Sequence, residues 1–260
     1  MADFDDHAVL ITGPAKGMGA QITRRFAEEG ADLVLAGRDT AAIAPVAEEA
    51  RAMGSGAIVA PCDVTDATAV EAAVRAGLDA YGKIDVLVNV AGGTGPLGRS
   101  SWEIEPKDFD QIVELNMKGA WLTMRAVIPH MIERRYGKIV NVGGTFGLRG
   151  RQGRMAYSAS KWGLRGITKS TALEAGPHNI NVNCVCPGMV DGPRFRKVCA
   201  ERAERLGIAP EEARRQHEEE YALKRISTDS DVAEAVLFFA SDRSRNITGQ
   251  DLAVDGGWVI

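Results

Sequence analysis

Short apolar runs alternate along the chain with longer stretches in which apolar residues recur at helical spacing. The first run, His7-Ala8-Val9-Leu10-Ile11, leads through Thr12 to Gly19 into a helical stretch ending near Glu29, with Gly30 placed as its C-terminal cap. The pattern then repeats. Asp32 to Ala36 reads as a strand, Thr40 to Met53 as a helix closed by Gly54-Ser55-Gly56, and Ala57 to Ala60 as a third strand. Asp66 is placed to cap a helix running to about Tyr81, and Ile84 to Val88 is a fourth strand. A helix follows from about Pro106, which Pro129 is expected to kink or break. Strand Lys138 to Val142, a helix carrying Tyr157, and strand Ile180 to Cys186 come next. Gly188 to about Ser227 is charged and helix-prone (Glu201 to Leu206, Glu211 to Glu220), with no strand to be read in it, and Glu211 to Glu220 reads as a solvated charged helix. An amphipathic helix, Asp229 to Ala240, and a last strand, Asp251 to Val254, complete the chain. Strand and helix alternating through short links predict an α/β protein, a single domain over residues 1–260 built on a doubly wound parallel sheet of about seven strands.

Composition narrows the partners. A chain of 260 residues with 45% hydrophobic and 25% charged residues is ordinary for a soluble globular domain. A net charge of -4 gives no reason to expect nucleic acid or an anionic membrane as partner. No apolar run approaches the ~18 residues of a spanning helix. The acidic start, Met1 to Asp6, lacks a signal-peptide pattern, so the cytoplasm is expected. The four cysteines form no C-x-x-C pair; Cys184 and Cys186 alternate in one strand, face the same way, and read as buried structural thiols. The four histidines are scattered, none reads as catalytic, and no metal site is expected.

Two stretches carry chemistry. Tyr157 and Lys161 lie four residues apart in a helix and so share a face. A phenol held beside an ammonium gives up its proton more readily, as a general acid/base must. A surface Tyr and Lys would show the same pattern. The second stretch is Gly13-x-x-x-Gly17-x-Gly19, between the first strand and the first helix. Glycines there let backbone approach a pyrophosphate, and the helix N-terminus supplies N–H donors.

With these two motifs and the βα order, the chain resembles the classical short-chain dehydrogenase/reductase family over nearly its whole length. Cys62-Asp63-Val64 resembles the family's adenine-side acid, and Asn89-Val90-Ala91-Gly92 its N-N-A-G segment with Val90 for the second Asn. Asn116 resembles the Asn that orders a relay water; Pro187-Gly188 and Asp255-Gly256-Gly257 are also placed as in the family. The resemblance implies a Rossmann-type domain with helices on both faces, a nicotinamide cofactor, and hydride exchange with a small-molecule alcohol or ketone at the B face. It implies Asn116, Tyr157 and Lys161 as catalytic residues. Gly13, Lys16, Gly17, Met18, Gly19, Arg38, Asp63, Val64, Asn89, Ala91, Gly92, Pro187, Gly188 and Val190, with Tyr157 and Lys161, are implied to line the cofactor. It also implies a homotetramer, with Gly256 to Ile260 in a subunit contact and residues 188–227 as a substrate-binding lid.

The cofactor reading favours NADP(H), with NAD(H) the alternative. Where NAD-preferring members carry an acid after the second strand, this chain has Gly37 followed by Arg38, and Lys16 adds a second cation. Asp39 is expected to pair with Arg38, or to take the acid's role if the register shifts.

One family residue is missing. The catalytic Ser, thirteen residues before the Tyr, falls on Gly144, beside Gly143. Three readings stand: Thr145 supplies the hydroxyl, other groups position the substrate, or the protein binds cofactor without redox catalysis. An epimerase, dehydratase or imine reductase on the same scaffold is a further alternative. Beside this gap, Arg149, Arg151 and Arg154, with Met189 across the pocket, suggest an anionic, carboxylate-bearing substrate; solvated arginines, or arginines paired with acids across a subunit contact, are the alternative.

Overall fold

The computed structural model describes residues 3–260; Met1 and Ala2 of the acidic N-terminal stretch lie outside the described residues. Seven parallel strands form one sheet in the order β3-β2-β1-β4-β5-β6-β7. They are β1 (Ala8–Thr12), β2 (Asp32–Gly37), β3 (Ala57–Pro61), β4 (Val86–Asn89), β5 (Gly137–Val142), β6 (Ile180–Pro187) and β7 (Asp251–Val254). The order turns back between β1 and β4, which opens a crevice at the carboxyl ends of those strands.

The alternation along each strand divides the core. Val9, Ile11, Leu33 and Leu35 pack on one face with α1 (Gly17–Glu28), α2 (Thr40–Ala52) and α9 (Asp229–Ala240). Leu10, Val34 and Leu87 face the other way, toward α3 (Ala67–Tyr81), α5 (Gly119–Arg134) and α6 (Met155–Ala175). With both faces covered, the strands read as continuous apolar runs. Burying each such side chain stabilises the fold by roughly 1.5–3 kcal/mol.

Three expectations change. Pro129 neither breaks nor ends α5, because it sits on the exposed side, where the Arg125 carbonyl left without its helical donor can meet water. The interruption comes earlier: α4 (Pro106–Val113) passes into a π-helical turn at Glu114–Lys118, and Asn116 stands in that turn. The charged segment holds α7 (Pro193–Leu206) and α8 (Pro210–Glu218), and α8 is not simply a solvated helix. Its Ala213 and His217 are buried with Phe195, Cys199, Tyr221 and Trp258 in a third, separate core. Trp258 stacks on Tyr221 of its own chain, with centroids 5.2 Å apart, so the burial anticipated from the apolar C-terminus is intramolecular at this residue, while Ile260 is exposed.

Candidate active site

The glycine turn is shaped by backbone meeting backbone. Thr12 Oγ1 accepts hydrogen bonds from the Val90 and Ala91 amides at 3.1 and 3.2 Å, tying the end of β1 to the end of β4. A β-carbon on Gly13 would stand 2.9 Å from Ala91 Cα, and one on Gly19 would stand 2.1 Å from the Gly13 carbonyl oxygen. Lys16 is exposed at the N-terminus of α1 and Met18 packs on the core behind the turn. The turn therefore keeps the open, amide-lined cradle that a dinucleotide pyrophosphate requires.

The residues expected at the adenosine end come together at the exits of β2 and β3. A β-carbon on Gly37 would meet only the tip of a side chain, Ile43 Cδ1, at 2.8 Å, and Gly37 itself offers no acid. Arg38 is 74% exposed and points toward Asp63, with 3.8 Å between Nη1 and Oδ2. Asp39 does not pair with Arg38; its Oδ1 accepts the Ala42 amide and caps α2. The Thr65 amide and hydroxyl hold the Asp63 carboxyl below its ordinary range, and Arg38 adds to this. Val64 is buried against Gly119, where a β-carbon would meet Val64 Cγ2 at 2.8 Å.

Asn89 is turned into the protein. Its Nδ2 donates to Asn141 Oδ1 at 2.9 Å and its Oδ1 accepts from Thr123 Oγ1 at 2.7 Å, so its side chain locks β4 to β5 and α5 and is not free for a ligand. Ala91 and Gly92 follow it at the crevice. A β-carbon on Gly92 would lie 2.9 Å from Asn116 Oδ1 and 3.8 Å from Lys161 Nζ.

At the other end α6 presents Tyr157 and, one turn on, Lys161. Lys161 Nζ is buried and donates to the Val142 carbonyl at 2.9 Å. Asn116 is clamped on Gly93: Oδ1 accepts from its amide at 2.8 Å, and Nδ2 donates to its carbonyl at 3.2 Å and to Ser160 Oγ at 3.0 Å. Ser160 in turn donates to the Tyr157 carbonyl at 2.7 Å. The π turn and the Tyr helix are thus joined through Ser160, which only the folded arrangement reveals.

Gly144 faces the phenol. A β-carbon there would stand 3.1 Å from Tyr157 Oη, whereas Thr145 is buried at the start of a short 3-10 turn. Gly143 is demanded from below, since a β-carbon would meet Cys184 Sγ at 2.8 Å and Cys186 Sγ at 3.0 Å. These thiols are buried and share a face, 3.7 Å apart. With Asp251 they form a trio whose ligand atoms lie within 4.8 Å, but Asp251 Oδ2 is paired with Arg165 at 2.9 Å and Lys169 at 2.8 Å. Two cations stand where a metal ion would need negative charge.

The arginines gather on aromatic rings. Arg149 lies 4.3 Å over Trp258, Arg151 lies 5.5 Å over Phe146, and Arg154 lies 4.6 Å over Tyr157 itself. Arg154 is 8% exposed, and its Nε and Nη2 have no partner. Burial pushes its guanidinium down to about 10; Arg194 and Arg151 push the same way and Tyr157 opposes them. That Phe146 and Trp258 hold these arginines carried no sequence signal, because the stack joins positions over a hundred residues apart.

Pro187 ends β6, and Gly188 packs so closely that a β-carbon would meet Asp255 Cβ at 2.8 Å. Met189 packs on the third core, and Val190 bridges to Ser227. Arg214 of α8 grips Asp191 at 2.8 Å and holds that carboxyl below its usual range. Residues 188–227 are thereby pinned at both ends beside the crevice.

Comparison with known proteins agrees with this geometry. The sequence model of the family described as Enoyl-(Acyl carrier protein) reductase matches residues 13–259. The chain is 36% identical over 253 residues to the 3-oxoacyl-[acyl-carrier-protein] reductase FabG of Thermotoga maritima, covering 96% of this chain and 97% of that protein. Among solved structures, NAD+-bound xylitol dehydrogenase superposes with a TM-score of 0.91 at 30% identity, covering 98% of this chain and 99% of that one. Actinorhodin polyketide ketoreductase with NADPH gives 0.90 at 33% identity, covering 99% and 98%.

Proposed function

The chain belongs to the classical short-chain dehydrogenase/reductase family of NAD(P)-dependent oxidoreductases acting on alcohol and carbonyl groups, and from that premise we propose that it moves a hydride between NADP(H) and a small alcohol or ketone, with Tyr157 as general acid/base. The observation that carries this is the joined set Asn116–Ser160–Tyr157, with Lys161 one helical turn on, beside a cradle that only glycines can form. When bound, the nicotinamide supplies or accepts the hydride at its B face.

The protein's own residues do the rest. Tyr157 Oη gives its proton to the carbonyl oxygen in reduction and takes it back in oxidation. Lys161, fixed by the Val142 carbonyl, would hold the cofactor ribose and return a proton to Tyr157. The Asn116 turn keeps the relay path in place, with its side chain occupied by Gly93 and Ser160. The position opposite the phenol is Gly144, which carries no hydroxyl, and this favours Tyr157 as the sole hydroxyl donor to the substrate.

Structures of both NAD+ and NADPH complexes lie among the relatives, so cofactor preference rests on this chain's own residues. A glycine at 37, an exposed Arg38 and an Asp39 spent on a helix cap favour the 2′-phosphate. Cytoplasmic location and assembly as a homotetramer belong to the same proposal. Supporting assembly, a groove of about 540 Å³ along α4, the π turn, α5 and α6 is lined by Val113, Met117, Trp121 and Ile167. Exposed Trp162 and Leu173 lie on α6 as well.

The test is NADPH fluorescence against a panel of ketones and oxo acids. Wild type is expected to oxidise NADPH with at least one member, and Tyr157→Phe to lower kcat/KM by about 100-fold or more. Cofactor binding without turnover across the panel would instead favour a cofactor-binding regulator.

A further inference from the structure

Resting on the hydride-transfer reading, we infer that Arg154, with Arg194 of the lid helix α7, holds an anionic group of the substrate, so that the substrate class is small hydroxy or oxo carboxylic acids. The starting observation is an unmet demand. Arg154 is 8% exposed, and its Nε and Nη2 are buried with no hydrogen-bond partner. A guanidinium is a planar fork of donors whose natural complement is a carboxylate. Leaving such donors dry and unpaired is costly unless something comes to meet them.

The surroundings say what would come. Arg154 lies 4.6 Å over the Tyr157 ring and 5.7 Å from the Phe146 ring centroid. Arg194 and Arg151 both press on its charge, and no carboxylate is among the groups that do. Arg149, Arg151, Arg154 and Arg194 form no ion pair among the described residues, whereas Arg196, Arg202, Arg214 and Arg215 of the same lid all do. Arg205 and Arg225 of the lid also lack an ion pair among the described residues, but both are exposed to solvent, whereas Arg154 is buried against the Tyr157 ring. Four neighbouring positive charges without a counter-ion form a site for a negative one, and the aromatic faces hold Arg149, Arg151 and Arg154 in place while it is absent.

The place fixes the size. The guanidinium stacks on the ring whose hydroxyl exchanges the proton, so anion and reacting oxygen belong to one small molecule. A phosphate of the dinucleotide is not the occupant, because the glycine turn and Arg38 stand at the opposite end of the crevice, on β1 and β2. Gly144 adds to the case. Without the family's serine, one hydrogen bond to the substrate is lost, and a carboxylate gripped by Arg154 restores the positioning from another direction.

The experiment is calorimetric titration of the NADP+ complex, in which no oxo acid can turn over. Oxo acids of three to seven carbons, linear and cyclic, are compared with their methyl esters. In wild type at least one acid is expected to bind about tenfold or more tightly than its ester. Arg154→Met and Arg194→Met are each expected to weaken that acid about tenfold while moving the ester less than about threefold. Arg194 is exposed, so its variant does not test folding, and Arg154→Lys is expected to retain part of the acid preference. No acid preference in wild type, or equal weakening of acid and ester, would overturn the inference. So would sedimentation showing that Arg154→Met changes the oligomer while acid binding stays as in wild type, which would make the cluster a subunit contact. Failure of the hydride-transfer reading is seen separately, as absence of NADPH oxidation by any member of the panel whatever binds.

Discussion

At the cofactor end of the crevice the closest approaches are between main-chain atoms: Gly13 against Ala91, Gly19 against the Gly13 carbonyl, Gly92 beside Asn116. At the substrate end the packing is between side chains, with Arg149, Arg151 and Arg154 laid on Trp258, Phe146 and Tyr157. The first end presents amides and tolerates almost no change of residue. The second presents charge and aromatic surface, and its members come from the segment after β5, from α6, from the lid and from the C-terminus. One end is fitted to a group that does not vary between substrates, and the other to whatever the enzyme must tell apart. Gly144 lies on the border between them. It is a glycine opposite Tyr157, so the Tyr157 hydroxyl stands there without a second hydroxyl from that position, and on the inference above the arginine side takes over the positioning.

Breaking the first end is expected to have the largest effect. Gly19→Ala puts a methyl 2.1 Å from a carbonyl oxygen that cannot move without the turn. NADPH binding, followed by fluorescence titration with circular dichroism as the folding check, is expected to weaken by about 100-fold or more. Binding within threefold of wild type would mean that backbone approach does not shape the cradle. Arg38→Asp is expected to lower the NADP/NAD ratio of kcat/KM by about tenfold or more, by removing a phosphate fork and adding a like charge. A wild type that already prefers NAD(H) would contradict the charge argument outright.

These contrasts track what was legible in the sequence. The seven strands, the two glycine-rich segments and the Tyr157/Lys161 pair follow from periodicity and spacing, because local sequence dictates them. Pro129 misled, since its effect depends on which side of α5 meets water, and that is a tertiary property. Asn89 resembled a cofactor residue, yet its side chain is claimed by Asn141 and Thr123, neighbours that only sheet pairing and helix docking supply. The stacking of Trp258 on Tyr221 was hidden for the same reason: the two are distant in sequence and meet only when the lid folds. The arginines were visible as a cluster, but not their stacking or the missing counter-ion.

Smaller effects sharpen the border and the lid. Thr145→Val is expected to change kcat/KM by less than about threefold, since the position opposite the phenol is Gly144 and Thr145 is buried in the turn after it. A loss worth about 2.7–4 kcal/mol in the transition state would return Thr145 to the role of the missing serine. In the lid, burial holds His217 below its ordinary titration range; Glu220 opposes this, and Arg202 and Arg151 reinforce it. The unfolded lid takes up the proton more readily than the folded one. The stabilisation is therefore complete above the unfolded value of ~6.5 and is lost as pH falls through the lower folded value. Limited trypsin cleavage within residues 188–227 is expected to speed up modestly between pH 7.5 and 5.5 in wild type, beyond the change in trypsin activity on a peptide control. His217→Gln is expected to show no such excess.

The most direct measurement is isotope transfer. NADPH carrying deuterium on the B face of the nicotinamide is incubated with enzyme and a ketone from the panel, and the alcohol is weighed by mass spectrometry. The prediction is one deuterium on the carbinol carbon with wild type and about a hundredfold slower appearance with Tyr157→Phe. Cofactor that binds but passes no deuterium to any ketone, or transfer that proceeds equally well without the Tyr157 hydroxyl, would contradict the account.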